Sequence, residues 1–317
     1  MAPATEQNLT FEWNGLSLGG TLHRPDAEGR APVVLMLQGS GPADRDCGDY
    51  FPSIRRTFLA RGMAAFAFDK PGCGVSTGSW YDYDLAGRAD QARAALTMLR
   101  RHPAIDPGSL GVWGQSQGGW LAQLLADGRS GISCAIANSG PSIAVPEQNL
   151  YGCEHTMRAE GCSEAAIQQA LAFLAEVHEA ARRDLDYRTL DSQILQRLRG
   201  QHWYGSYLTI EDPRDWHLMK LLVREGNDPL EAIGRIRCSF LAVYGGLDVL
   251  VPAWLCAEES GRALQRAAVP DAAVVVFPNG DHRIQDPTTG EFVPGYLDHV
   301  GQWMAERLRR ERPTDRS

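Results

Sequence analysis

Lysine is almost missing from this chain of 317 residues, occurring only at Lys70 and Lys220, so arginine supplies nearly all the positive charge. Acidic residues still prevail, with Asp+Glu 39 against Lys+Arg 31 and a formal net charge of −8. Only one short basic stretch occurs, at 307–312. That charge balance excludes the basic face that nucleic-acid binding demands, and no nucleic-acid partner is expected. Long apolar runs are also lacking: the longest, such as 32–37 and 272–277, have strand length and fall far short of the roughly 20 residues of a membrane span. No membrane association is expected. The opening Met1-Ala2-Pro3-Ala4-Thr5-Glu6 has neither a basic segment nor an apolar one, and is not read as a secretory leader. No Cys-x-x-Cys pair exists among Cys47, Cys73, Cys134, Cys153, Cys162, Cys238 and Cys256. An odd, scattered set of seven cysteines argues against a disulfide framework and a zinc site, and suits reduced thiols in a cytoplasmic protein.

What remains is ordinary globular composition, with 44% hydrophobic and 22% charged residues. Residues 9–24 alternate around Asn14-Gly15 and Gly19-Gly20, which predicts an opening antiparallel meander of two or more short strands. Apolar strand-like runs then alternate with helical stretches, at 33–37, 53–61, 63–68, 85–101 and 110–113, followed by a strand at 132–137. Such alternation predicts an α/β fold with a mostly parallel sheet covered by helices on both faces. Between about 144 and 233 there are helical periodicities and no good buried strand, so a helical insertion is expected there. Strand runs return at 240–244 and 273–277, with helical patterns at 253–267 and 296–309. The expected organisation is a core of 1–143 and 234–311, a helical cap of 144–233, and a frayed tail of 312–317.

One pentapeptide has the context that chemistry requires. Gly114-Gln115-Ser116-Gln117-Gly118 follows a short apolar strand and opens a helical run, the setting of a nucleophile elbow. There a serine occupies a strained strand-to-helix turn, and the flanking glycines leave room where a side chain would collide with backbone. The competing reading is a glycine-rich turn that only joins strand to helix. A serine hydroxyl is a poor nucleophile at neutral pH, so it needs a histidine base and an acid that orients it, in the chain order serine, acid, histidine. Asp248 follows the strand at 240–244, and His282 follows the strand at 273–277 in the turn Pro278-Asn279-Gly280-Asp281-His282. These are the expected acid and base. Asp248 also reads as a helix N-cap before Pro252 and Ala253, a role compatible with orienting a histidine. Asp281 is a weaker rival, because a side chain next to the histidine rarely reaches round to its ring; it is expected to face solvent or brace the loop. His102, His155, His178, His217 and His299 all have plain readings as packed or surface residues.

Acyl transfer also needs N–H donors aimed at the developing oxyanion. Gln117, the residue after the serine, supplies one. The loop Gln38-Gly39-Ser40-Gly41-Pro42 after the strand at 33–37 supplies the other, from Ser40 with Gly41 as the alternative. A phosphate-binding loop is excluded there because no Gly-Lys-Ser/Thr follows. No metal cluster, Schiff-base lysine or flavin motif is found, so no cofactor and no metal are expected.

Three segments together, Gln38-Gly39-Ser40-Gly41-Pro42-x-Asp44-Arg45-Asp46, Phe68-Asp69-Lys70-Pro71-Gly72-x-Gly74-x-Ser76-Thr77-Gly78 and Gly114-x-Ser116-x-Gly118-Gly119, resemble the α/β-hydrolases, and within them the bacterial serine esterase and acyl-peptidase-like branch. The resemblance covers everything except the insertion. Two departures stand out: that branch usually has His where Gln38 stands, and often Arg where Pro71 stands. The resemblance implies a carboxylic-ester hydrolase working through an acyl-enzyme on a small-molecule ester. Amide, peptide and thioester hydrolysis use the same groups and stay open, as does a non-catalytic ligand-binding version of the fold, against which the complete set Ser116, Asp248 and His282 weighs. The insertion should lie over the active centre as a cap. Its aromatic residues, Trp203 and Tyr204 among them, together with Gln38, are the expected substrate contacts, although packing of the cap on the body is a competing reading for each ring.

Overall fold

The computed structural model describes residues 4–205, 207, 210–223 and 227–309, so the tail at 312–317 lies outside the described residues. The chain opens with a hairpin of two ten-residue strands, β1 (Ala4–Trp13) and β2 (Leu16–Pro25). Asn14 and Gly15 form its turn, with φ of 47° and 78°, the positive values that a two-residue hairpin loop matched to strand twist requires. Gly19-Gly20 is not a second turn: both residues sit inside β2. A Cβ on Gly20 would stand 2.5 Å from Ala67 O, so this glycine marks close strand approach rather than chain reversal.

Six further strands follow: β3 (Ala31–Leu37), β4 (Ala64–Phe68), β5 (Ile105–Gln115), β6 (Cys134–Asn138), β7 (Ser239–Gly245) and β8 (Ala272–Phe277). The sheet order is β1-β2-β4-β3-β5-β6-β7-β8. β1 and β2 pair antiparallel, as do β2 and β4, and every pairing from β4 onward is parallel. Successive residues of a strand face opposite sides of a sheet. Val33, Leu35 and Leu37 of β3 accordingly join one core, and Val34 and Met36 the other.

Helices α1 (Tyr50–Leu59), α2 (Leu85–Arg101) and α3 (Gln117–Leu125) connect the first parallel strands. Between β6 and β7 the described residues hold only helical elements: α4 (Val145–Ala159), α5 (Glu164–Arg182), α6 (Tyr187–Leu190), α7 (Gln196–Leu198), α8 (Pro213–Val223) and α9 (Pro229–Gly234), with a π-helical turn at Asp191–Leu195. After β7 come α10 (Ala253–Arg266) and, beyond β8, α11 (Tyr296–Leu308). The face bearing α1 and α11 holds one core, which includes Phe58 and Met304; α2, α3, α10 and the helices between β6 and β7 pack on the other. Parallel strands bring all their C-terminal ends to one edge of the sheet, where ligand crevices form. Gln38, Ser116, Asp248 and His282 all lie just past such ends, after β3, β5, β7 and β8. No described helix is long and apolar enough to cross a membrane.

Candidate active site

Ser116 stands between β5 and α3 with φ 57° and ψ −117°, a backbone conformation that costs a non-glycine residue about 1–3 kcal/mol. Neighbouring chain enforces it. A Cβ on Gly114 would fall 1.9 Å from Gly118 O, and one on Gly118 would fall 2.2 Å from Leu37 O. Only glycine permits β3, β5 and α3 to converge this closely at both positions. Ser116 N–H donates to Asn138 O at 2.8 Å, tying the turn to β6. The serine therefore sits at the N-terminus of α3, where the helix dipole favours negative charge.

His282 Nδ1 lies 2.7 Å from Asp248 Oδ2, and the Asp248 side chain is wholly buried. The other carboxylate oxygen, Oδ1, accepts the N–H groups of Leu250 at 2.7 Å and Val251 at 2.9 Å. Asp248 thus shapes its own loop and holds the imidazole at once; the N-cap position of α10 itself falls to Pro252. Asp281 is turned away, its Oδ1 accepting the N–H groups of Arg283 at 2.7 Å and Gln285 at 2.9 Å. Two contacts that nothing in the sequence signals fix the loops further. Gln115 Nε2 donates to His282 O at 3.3 Å, and Tyr151 Oη, from α4, donates to Asp248 O at 3.0 Å.

Ser116 and His282 line one cleft of about 520 Å³, together with Ser40, Gly41 and Gln117. The volume falls within the usual range of small-molecule sites. The helices between β6 and β7 supply much of its wall: Val145, Gln148 and Asn149 from α4, Leu218, Met219 and Leu222 from α8, and Tyr207. Burial pushes His178 down to about 4, so it is neutral near pH 7, and its Nε2 lies 3.2 Å from the Asn149 amide nitrogen.

Three expected substrate contacts do not reach this cleft. Gln38 is buried and its Nε2 donates to Phe68 O at 2.7 Å and Asp44 O at 2.9 Å, so it ties the loop after β3 to β4. Trp203 packs inside the helical layer near Phe173, its Nε1 donating to Gln169 Oε1 at 3.2 Å. Tyr204 packs on Phe173 as well, its hydroxyl bonded to Ile210 O at 3.2 Å. In each case the polar end of the side chain is engaged by protein, which turns the residue to structural use. Of the aromatic cluster at 201–207, it is Tyr207 that lines the cleft, while Ser206 lies outside the described residues.

Behind the loop at 38–41 lies a smaller inner cavity, lined among others by Gln38, Lys70, Arg88 and Gln117. Lys70 Nζ donates to Gly41 O at 2.7 Å and also to Gly39 O. Arg88 donates to Gln117 Oε1, to Tyr83 O at 2.9 Å and to Trp80 O at 3.0 Å. Burial lowers both cations, Lys70 to about 7, with Arg88 adding to the effect, and Arg88 to about 10. The loop is anchored from its far end by Arg45, whose guanidinium grips the Asp69 carboxylate, with Nε 3.0 Å from Oδ1. Burial raises the Asp69 carboxyl, but the hydrogen bonds from Arg45 and Val75 outweigh it and hold the group below its ordinary range. Among the described residues no cluster of histidine, cysteine and carboxylate side chains is arranged to hold a metal.

Comparison with known proteins gives a consistent pattern. A family model described as the alpha/beta hydrolase family matches residues 33–294. Esterase FrsA of Enterobacter sp. is 32% identical over 129 residues, covering 41% of this chain and 30% of its own. Polyketide transferase ATR5 of Stachybotrys chlorohalonatus is 30% identical over 163 residues, covering 50% of this chain and 53% of its own. The chain thus spans between 30% and 53% of the length of these curated relatives. The solved structure of the Pyrococcus furiosus esterase Pf2001 superposes with a TM-score of 0.63 at 15% identity, over 96% of this chain and 92% of that one.

Proposed function

The chain belongs to the α/β hydrolase family, and from that premise we propose that it is a serine hydrolase that cleaves a carboxylic ester of a small or mid-sized, fairly apolar substrate through an acyl-enzyme. The observation that carries this reading is the 2.7 Å contact of His282 Nδ1 with a buried Asp248 carboxylate, made by a histidine that shares a cleft with a strained Ser116. Asp248 fixes the imidazole with Nδ1 protonated, which leaves Nε2 as the base. Nε2 takes the Ser116 proton as Oγ attacks the substrate carbonyl, and the N–H groups of Ser40 and Gln117 stabilise the tetrahedral oxyanion. His282 then gives the proton to the leaving alcohol. Water, deprotonated by the same nitrogen, attacks the acyl-enzyme and releases the acid.

The apolar side chains Leu218, Met219, Leu222 and Trp120 around the cleft support an apolar substrate, and its volume supports one of small to middle size. The helices between β6 and β7 act in this reading as a cap that shapes the pocket. The leaving group is the least constrained part, since ester, thioester and amide cleavage share one triad. The deciding experiment is a panel of nitrophenyl acyl esters with matching thioesters and anilides, run on the native protein and on Ser116→Ala. Ester turnover that drops by about 1,000-fold or more in the variant is expected. A variant near the native rate would overturn the serine mechanism, and anilides cleaved faster than esters would move the assignment to amide hydrolysis.

A further inference from the structure

The mechanism needs the Ser40 N–H to point at the oxyanion, yet Ser40 belongs to a glycine-flanked loop whose peptides have wide conformational freedom. Something must hold that direction. In a planar trans peptide the carbonyl of one residue and the N–H of the next point in opposite senses. The Ser40 N–H shares its peptide with the Gly39 carbonyl, so whatever captures Gly39 O determines where the donor aims. Lys70 Nζ captures it from the side of the inner cavity, and it captures Gly41 O as well, at 2.7 Å. The ammonium therefore clamps the carbonyls on both sides of Ser40, whereas Ser40 itself forms part of the cleft wall beside Ser116. The second donor has a parallel brace, since Arg88 holds the side chain of Gln117 from the same inner cavity.

Burying a lysine among carbonyl groups is a costly way to fix a loop, because an ammonium loses its hydration and regains only neutral acceptors. A methionine or leucine would fill the same space without that loss. Lys70 is only 8% exposed and its hydrogen bonds go to those two carbonyls. A cation bound at a peptide carbonyl also polarises the peptide and makes its N–H a stronger donor.

Resting on the serine-hydrolase reading, we propose that Lys70 is a positioning residue of this site: by clamping Gly39 O and Gly41 O it aims the Ser40 N–H at the tetrahedral oxyanion. It touches no substrate. Its contribution appears in the transition state, where the oxyanion forms, and hardly in the binding of ground-state ester.

The test compares the native protein with Lys70→Met and Ser116→Ala in steady-state ester hydrolysis, in affinity for an alkyl boronic acid, and in thermal unfolding. The boronic acid adds Ser116 Oγ to boron and passes the serine proton to His282, giving a tetrahedral anion in place of the oxyanion. Complete loss of one oxyanion donor costs about 100- to 1,000-fold in kcat in well-studied enzymes, so a misdirected donor should cost about 10- to 100-fold. The expected result for Lys70→Met is that loss in kcat, a KM within about 3-fold of native, a parallel loss of boronate affinity, and no loss of thermal stability. If the methionine variant does not fold, Lys70→Gln is read by the same criteria. A folded variant with kcat within about 2-fold of native, or with its whole loss in KM and boronate affinity intact, would overturn the proposal. Failure of both variants to fold would also overturn it, by making Lys70 a structural requirement. A Ser116→Ala protein that still turns over ester fails the serine reading itself, an outcome separate from anything Lys70 does.

Discussion

Asp248 lies 34 residues before His282 in the chain yet puts Oδ2 2.7 Å from its Nδ1, whereas Asp281, its immediate neighbour, spends its carboxylate on the N–H groups of Arg283 and Gln285. The two acids therefore predict opposite mutational outcomes. Asp248→Asn leaves an amide that favours the wrong imidazole tautomer, and kcat should fall by about 100- to 10,000-fold. Asp281→Asn keeps an oxygen able to accept both backbone N–H groups, so kcat should stay within about 3-fold of native. Steady-state kinetics on the two variants separates them, and a larger loss at Asp281 would reassign the acid.

The sequence exposed the strands because parallel strands buried on both faces read as unbroken apolar runs, as with the wholly buried Ala64–Phe68. It left Gly19-Gly20 open between a second turn and a close approach of strands, because a glycine pair looks the same in either case. Ser116, Asp248 and His282 stood out as candidates because each stands just past a strand end, where one-dimensional spacing still carries spatial information. The cleft wall carried no such mark. Whether Trp203 or Leu218 faces the cleft depends on how six helices pack, and an aromatic ring serves a helical core as readily as a pocket. Lys70 stood in the sequence as one of two lysines and within the segment at 68–78, but with no sign of its role, since the carbonyls it holds lie 29 and 31 residues away and carbonyls are common to every residue.

The glycines around Ser116 make the elbow a stability element independently of the chemistry proposed for it. A Cβ at Gly118 would sit 2.2 Å from Leu37 O, a backbone atom inside the sheet that cannot swing aside. Gly118→Ala should therefore destabilise by about 3 kcal/mol or more, by forcing α3 away from β3. Gly261, in α10, has open space around its would-be Cβ, and Gly261→Ala should stabilise by about 0.4–1 kcal/mol through the entropy of the unfolded chain. Urea unfolding midpoints of the two variants should move in opposite directions.

Lys70 should leave a signature in the pH dependence of stability. Burial, followed by the Arg88 charge, pushes it down to about 7, with Cys47 and Cys73 acting weakly the other way. An unfolded lysine keeps its proton until about pH 10.4. Between those values the unfolded chain binds more protons than the folded one, so this group makes stability rise with pH from about 7 to about 10. Below pH 7 the fold bears the full cost of a buried ammonium. Lys70→Met removes that cost, so its melting temperature should exceed native most at pH 6, and the gain should shrink by pH 9.5. Equal shifts at the two pH values would show that the fold leaves the lysine's proton affinity at its unfolded value.

The cleft wall contributed by α8 predicts how selectivity can be changed without touching the chemistry. Leu218, Met219 and Leu222 lie within two turns of that helix and all line the cleft, while Ser116, His282 and Ser40 come from loops past the strand ends and Gln117 opens α3. Leu218 is only partly buried, so a larger side chain there extends into the cleft rather than into the helical core. Leu218→Trp should thus shorten the space for an apolar acyl or alcohol chain and leave the reacting groups in place. The expected outcome is an acetyl ester hydrolysed within about 3-fold of the native kcat/KM, and an octanoyl ester slowed by about 10-fold or more, which corresponds to the 1–3 kcal/mol at stake when a hydrophobic pocket loses room for even one methylene. A matched series from acetyl to octanoyl nitrophenyl esters reads this directly. Equal losses along the series would mean that the helix moved and disturbed the catalytic groups. No change in the series would mean that the chain of the substrate runs elsewhere in the same cleft, such as past Trp120 and Val145, which also line it.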